Sequence, residues 1–276
     1  MKSIKSVQWL FERLDSTFLR VIDCRFSLKD SSYGIKAFQE NHIPGAVFFD
    51  LEQDLSGPVQ THGGRHPLPD LQVLIGKLEN NGIGNDEIVV IYDDGEGCFA
   101  ARCWWLLTYL GHEHVFILDG GLAAWKDHRY PLTREATNKK KAVFIPSIKT
   151  DMLASYEEVK QRSQDRKAIL IDSRAKERYL GLVEPLDRIA GHIPNALHYD
   201  WTDGLEQGHW KSVESQKHRF SKLNADDEVI VYCGSGVSAT PNVLTLLESG
   251  FEKVKLYAGS YSDWISYPEN PVETGE

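Results

Sequence analysis

One stretch of the 276-residue chain gathers residues able to do chemistry: "EVIVYCGSGVSATPNVL", residues 228–244. The run through Ile230, Val231 and Tyr232 stops at Cys233, and Gly234-Ser235-Gly236-Val237-Ser238 follows before a helical pattern opens near Pro241. Two glycines allow tight turning and close approach of backbone to a ligand. Successive N–H groups in such a loop, backed by a helix N-terminus, form a nest for an anion. That setting favours a thiolate, and equally a persulfide anion or a negatively charged donor beside it. An inert cysteine buried at a strand end is the competing reading; the glycine loop favours a nucleophile.

Three chemistries compete for the thiol. A cysteine phosphatase grips phosphate with an arginine six positions beyond it, and that position is Ala239. A thiol hydrolase needs a histidine beside the thiol, and no local motif supplies one. Sulfur transfer asks only for a thiolate that takes sulfur from an electrophilic donor and holds it as a persulfide. The uncharged loop fits that best.

The elements that must position Cys233 are written twice. "FLRVIDCR" (18–25) returns as "AILIDSR" (168–174), and "NHIPGAVFFDL" (41–51) as "GHIPNALHYDW" (191–201). "DEIVVIYDD" (86–94) returns as "DEVIVYCG" (227–234), and "DGGLAAW" (119–125) as "AGSYSDW" (258–264). Four segments in one order, with a spacing that drifts by about a dozen residues, define a duplicated domain. Ile169–Ile171, Val229–Tyr232 and Val254–Tyr257 read as buried parallel strands. Ser155 and Glu158 form a capping box opening "SYEEVKQR", and "PNVLTLLESG" has proline in its first turn and Gly250 at its end. Strands alternating with helices imply an α/β fold, each copy a parallel sheet flanked by helices on both faces. The expected boundaries are 1–135 for the first domain, 136–151 for a linker and 152–276 for the second. Copy one has Asp93 where copy two has Cys233, so the second copy should carry the chemistry.

Composition bounds the rest. Apolar residues make up 41% and charged residues 26%, and the net charge of −9 argues against a nucleic-acid binder. No stretch approaches the ~20 apolar residues of a membrane span, and "MKSIKSVQWLFERL" reads as an amphipathic helix, not a signal peptide. Cys24, Cys98, Cys103 and Cys233 form neither a disulfide framework nor a zinc motif, so the expected compartment is the reducing cytoplasm. Cys24 and Cys103 read as core, whereas Cys98 in "DDGEGCFA" lies in a glycine-rich and exposed loop by its pattern.

These residues resemble the two-domain rhodanese-like sulfurtransferases over nearly the whole chain: the duplicated "IDxR", "HIP" and "G…W" segments, and a single cysteine in the second copy. The resemblance implies tandem rhodanese-like domains, no metal or organic cofactor, and a persulfide on Cys233. "CGSGVSA" looks like the "CGSGVT" loop of the 3-mercaptopyruvate-using members, with Ser238 where threonine is usual; thiosulfate-using members carry basic residues after the cysteine. Thiosulfate stays as the rival donor, and a non-enzymatic binding or sulfur-carrier module as the rival class. The donor is then a small anion, with Gly234, Gly236, Val237 and Ser238 around it, and the acceptor a thiol, thioredoxin or cyanide. By the resemblance Arg178 in "RYLG" holds the donor's carboxylate, and its planar fork suits that group. Arg188 is a further candidate, although its spacing to Gly191-His192 differs from the family's. Arg174 has a counterpart in Arg25 and so reads as a structural partner of nearby acids; His192 and His42 read as structural turns. A serine–histidine–acid relay assists in the family. It maps onto Ser235, His66 and Glu52, with Asp50 or Asp54 as alternative acids and His62 as a competing histidine.

Overall fold

Continuous apolar runs buried on both faces favour parallel strands covered by helices, and both copies build their sheets this way. The computed structural model describes residues 1–276. Contacts divide the chain into two units: Met1–Gly57, Pro69–Lys149 and Gln207–Trp210 in one, and Pro58–Leu68, Thr150–Glu206 and Lys211–Glu276 in the other.

In the first unit five parallel strands lie in the order Ile4–Lys5, Val115–Leu118, Ile88–Tyr92, Leu19–Asp23, Ala46–Phe48. In the second the order is Val254–Leu256, Val229–Tyr232, Ile169–Asp172, Leu197–His198. The strand ending at Tyr92 pairs in register with that ending at Asp23, as Tyr232 pairs with Asp172. The cores repeat as well: Tyr92 and Trp125 lie in one cluster, Tyr232 and Trp264 in the other. Each indole N–H donates to a proline carbonyl, Trp125 to Pro131 and Trp264 to Pro271, both at 2.9 Å.

Each sheet ends in a buried ion pair. Arg25 forks onto Asp23 at 2.7 Å, and Arg174 onto Asp172 at 2.6 Å. The histidines of the two "HIP" segments also repeat, His42 Nδ1 lying 2.7 Å from the Phe38 carbonyl and His192 Nδ1 2.7 Å from that of Tyr179. Buried imidazoles held at equivalent turns have a structural use in both copies.

Ser155 caps the helix Tyr156–Asp165 by accepting the Glu158 N–H at 3.2 Å. The N-terminal helix is shorter than its sequence pattern. Ile4–Lys5 pairs with the strand Val115–Leu118, and the helix begins only after Ser6, at Val7–Phe11. Cys98 is not an exposed loop residue; it opens the helix Cys98–Tyr109 and is buried, because Gly97 at φ +84° turns the chain into that helix. All four cysteines are free and buried. No helix is long and apolar enough to cross a membrane.

Two short segments depart from the sequence boundaries. Residues 58–68, written in copy one, fold with the second unit, and residues 207–210 fold with the first. Residues 136–149 also belong to the first unit, where Ala142 N–H donates to the Glu79 carbonyl and Phe144 is buried.

Candidate active site

The strand Val229–Tyr232 delivers Cys233 to its carboxyl end, where ligands bind in open α/β sheets. The helix Thr240–Glu248 starts seven residues later, with no side chain capping its N-terminus. Gly236 is in the left-handed region at φ +77°, and that turn aims its N–H at Cys233 Sγ, 3.1 Å away. The amides of Ser235, Val237, Ser238 and Ala239 donate to no protein group. The buried Cys233, 1% exposed, thus sets its sulfur against the Gly236 amide, a donor suited to negative charge.

Copy one shows what such a nest holds when no ligand is required. The Asp93 carboxylate accepts the N–H groups of Gly95 at 3.0 Å, Gly97 at 2.9 Å and Ala100 at 3.1 Å. Burial raises the Asp93 carboxyl above its ordinary value, and these three bonds offset part of the rise. An internal anion fills the first nest; the second offers sulfur instead.

The cysteine's own backbone is anchored by a residue that sequence reasoning missed. Ser260 Oγ accepts the Cys233 N–H at 3.1 Å and donates to the Tyr257 carbonyl at 2.9 Å. Ser260 holds φ +57°, an uncommon conformation for a residue with a side chain. Its repeat counterpart is Gly121 at φ +55°. Aligning "AGSYSDW" with "DGGLAAW" exposes the signal: a serine retained where backbone geometry favours glycine.

His66 Nδ1 lies 2.8 Å from Ser235 Oγ, and both side chains are buried. The segment carrying His66 is pinned within the second unit. Gly63 N–H donates to Asp263 at 2.7 Å, and Arg65 N–H to Ser262 at 3.1 Å. Gly64, at φ +80°, packs so closely that a Cβ would meet the Gly259 carbonyl oxygen at 2.2 Å. His62 is used elsewhere: it stacks on Tyr267 at 4.0 Å and bonds Ser266 at 2.7 Å. Of the three acids weighed with His66, all belong to the first unit. Asp50 caps a turn by accepting the amides of Glu52 and Gln53, Asp54 pairs with Lys77, and Glu52 is exposed.

The arginines form a network. Arg174 is buried against Asp172 and Glu184, so its guanidinium is committed. Arg178 reaches Glu184 at 2.7 Å and Asp187 at 3.0 Å, and Asp187 also pairs with Arg65. Burial pushes Glu184 up, but bonds from Arg178 and the Leu186 and Asp187 amides outweigh it and hold the carboxyl below its ordinary value. Burial raises the Asp187 carboxyl, against the pull of Arg65. Arg188 donates to the Ile265 carbonyl. Gly234 has Arg178 beside it: a Cβ there would meet Arg178 Nη2 at 3.3 Å and Nη1 at 3.4 Å. Val237 is buried and its carbonyl accepts from Thr240; Ser238 is half-buried at the helix entrance.

A duplicated α/β unit with a thiol in a backbone nest in one copy and a carboxylate in the other defines a rhodanese-like sulfurtransferase. The chain belongs to that family: the rhodanese-like domain model matches residues 6–128 and again 155–267. It is 46% identical over 277 residues to a probable 3-mercaptopyruvate sulfurtransferase of Pseudomonas aeruginosa, covering 98% of each chain. It is 33% identical to the thiosulfate sulfurtransferase of Rattus norvegicus, covering 100% of this chain and 96% of that one. Among solved structures, SseA from Escherichia coli superposes with a TM-score of 0.84 at 32% identity, over 94% of this chain and 99% of that one.

Proposed function

We propose that the protein takes sulfur from 3-mercaptopyruvate onto Cys233 and passes it to a thiol, thioredoxin or cyanide. The observation that carries this reading is the Gly236 N–H aimed at Cys233 Sγ at 3.1 Å, in a loop without cations of its own. The Cys233 thiolate attacks the donor's sulfur. An S–S bond forms, the donor's C–S bond breaks, and its electron pair leaves on the methylene carbon as the enolate of pyruvate. The donor's thiol proton passes to that carbon, so pyruvate departs and the persulfide anion stays among the backbone amides. Ser235, bonded to His66, shuttles this proton. In the second half an acceptor thiolate, or cyanide, attacks the outer sulfur, the S–S bond breaks, and its electrons return to Cys233.

Arg178 seats the donor's carboxylate beside Gly234, with Gly236, Val237 and Ser238 shaping the loop and Arg188 as a further candidate cation. Three guanidiniums (Arg65, Arg174, Arg178) meet three carboxylates (Asp172, Glu184, Asp187). That balance suits a monoanionic carboxylate better than the thiosulfate dianion. Four free cysteines fit a reducing compartment such as the cytoplasm. A steady-state comparison of the two donors tests the assignment: 3-mercaptopyruvate should give the larger kcat/KM. A larger value for thiosulfate would overturn the donor and leave the family intact.

A further inference from the structure

Gly234 is hemmed in by two guanidiniums, and sequence reasoning found one of them. A Cβ at that position would meet Arg65 Nη2 at 2.7 Å, closer than either nitrogen of Arg178. Arg65 and Arg178 therefore converge on the residue next to the nucleophile, where adjacent Cα atoms stand about 3.8 Å apart. The span fits a donor whose carboxylate lies a few bonds from its sulfur. The Arg65 side chain is 31% exposed and that of Arg178 17%, whereas the structural Arg174 is 1% exposed. Asp187 accepts from both cations, through separate oxygens. A carboxylate bridging two forks is the arrangement a substrate carboxylate would itself adopt.

From this convergence we infer that Arg65 is a second donor-binding cation, forming with Arg178 a two-guanidinium seat for the carboxylate of an α-keto acid. The inference rests on the proposed sulfur-transfer reading and adds its specificity. The Arg65 backbone is set before any donor arrives, because its N–H is held by Ser262 and Gly63 is held by Asp263. Asp187 occupies both guanidiniums and competes with the donor for them.

The test is steady-state kinetics with 3-mercaptopyruvate for wild type, Arg65→Gln, Arg65→Lys and Asp187→Asn, with pyruvate as a competitive inhibitor. Loss of a charge-assisted bond, about 1.5–3 kcal/mol, corresponds to a rise of roughly 10- to 150-fold in KM. Arg65→Gln should show that rise with kcat little changed, and the inhibition constant of pyruvate should rise with it. Arg65→Lys should recover part of both. Asp187→Asn breaks the same ion pair while keeping the cation, so its KM should stay level or fall. If Arg65→Gln keeps the wild-type KM, or Asp187→Asn raises KM as much as Arg65→Gln does, Arg65 is structural and the inference fails. A wild-type protein that forms no persulfide from 3-mercaptopyruvate would instead remove the underlying reading.

Discussion

Gly236→Ala should slow sulfur loading as well as cost stability. The amide of Gly236 reaches Cys233 Sγ only because the residue sits at φ +77°, and a Cβ there would stand 2.2 Å from the Ala258 carbonyl oxygen. Positive φ costs a residue with a side chain about 1–2 kcal/mol. The contact must also open by roughly 1 Å to become an ordinary van der Waals distance, which carries the amide off the sulfur. A lost bond to a charged group costs about 1.5–3 kcal/mol, and a misplacement of about 1 Å can cost on the order of a hundredfold in rate. Persulfide formation, followed by quenched-flow intact mass after mixing with 3-mercaptopyruvate, should therefore slow by about 10- to 100-fold. Gly250→Ala is the control. That residue lies at φ +101° with nothing within 4 Å of a Cβ, so it bears the backbone cost alone. Its melting temperature should drop by roughly 2–8 °C with the loading rate unchanged. A folded Gly236→Ala protein that loads sulfur at the wild-type rate would refute the claim that this amide stabilises the sulfur.

Three further outcomes follow from the same physics. Arg174→Ala strands Asp172 in the interior and removes one of the partners of Glu184, a loss of about 3–5 kcal/mol, so melting should fall by roughly 10 °C while KM moves less than it does in Arg178→Ala. Asp93→Ala removes the acceptor of three amides in the first unit, two of them buried; thermal melting should show a loss of about 2–4 kcal/mol, with kcat of the folded protein retained. His112 is buried, and burial pushes its pKa down to about 4, so it is neutral in the fold. Its stabilising contribution is whole above the unfolded value of about 6.5 and is lost as pH falls from there towards 4, on the order of 3 kcal/mol in all. His112→Leu should flatten the decline in melting temperature across that window, and an unchanged slope would assign the decline to other groups.

Much of the fold is legible because local chemistry and tertiary demand agree. The apolar runs at Val229–Tyr232 and Ile169–Asp172 could only be buried strands, and Ser155 stops the chain where its helix begins. The Cys233 loop was readable for the same reason: glycines there have a geometric use. Reading failed where distant segments decide. "SIKSVQWLF" has helical periodicity, yet Ile4–Lys5 is drawn into a strand by the open edge of Val115–Leu118. Cys98 sits among glycines that suggest a loop, but Gly97 launches a helix that buries it. Arg65 gives no local sign of its place beside Gly234, because the fold of residues 58–68 onto the second unit sets that contact. His66 could be placed only by family likeness; its bond to Ser235 spans 169 residues of sequence.

The most direct test of sulfur carriage is peptide-mapped mass spectrometry after one equivalent of 3-mercaptopyruvate. The Cys233 peptide should gain one sulfur atom, pyruvate should appear in equal amount, and an added thiol should strip the sulfur away. Pyruvate released with no added sulfur, or with the sulfur on Cys24, Cys98 or Cys103 instead, would contradict the account.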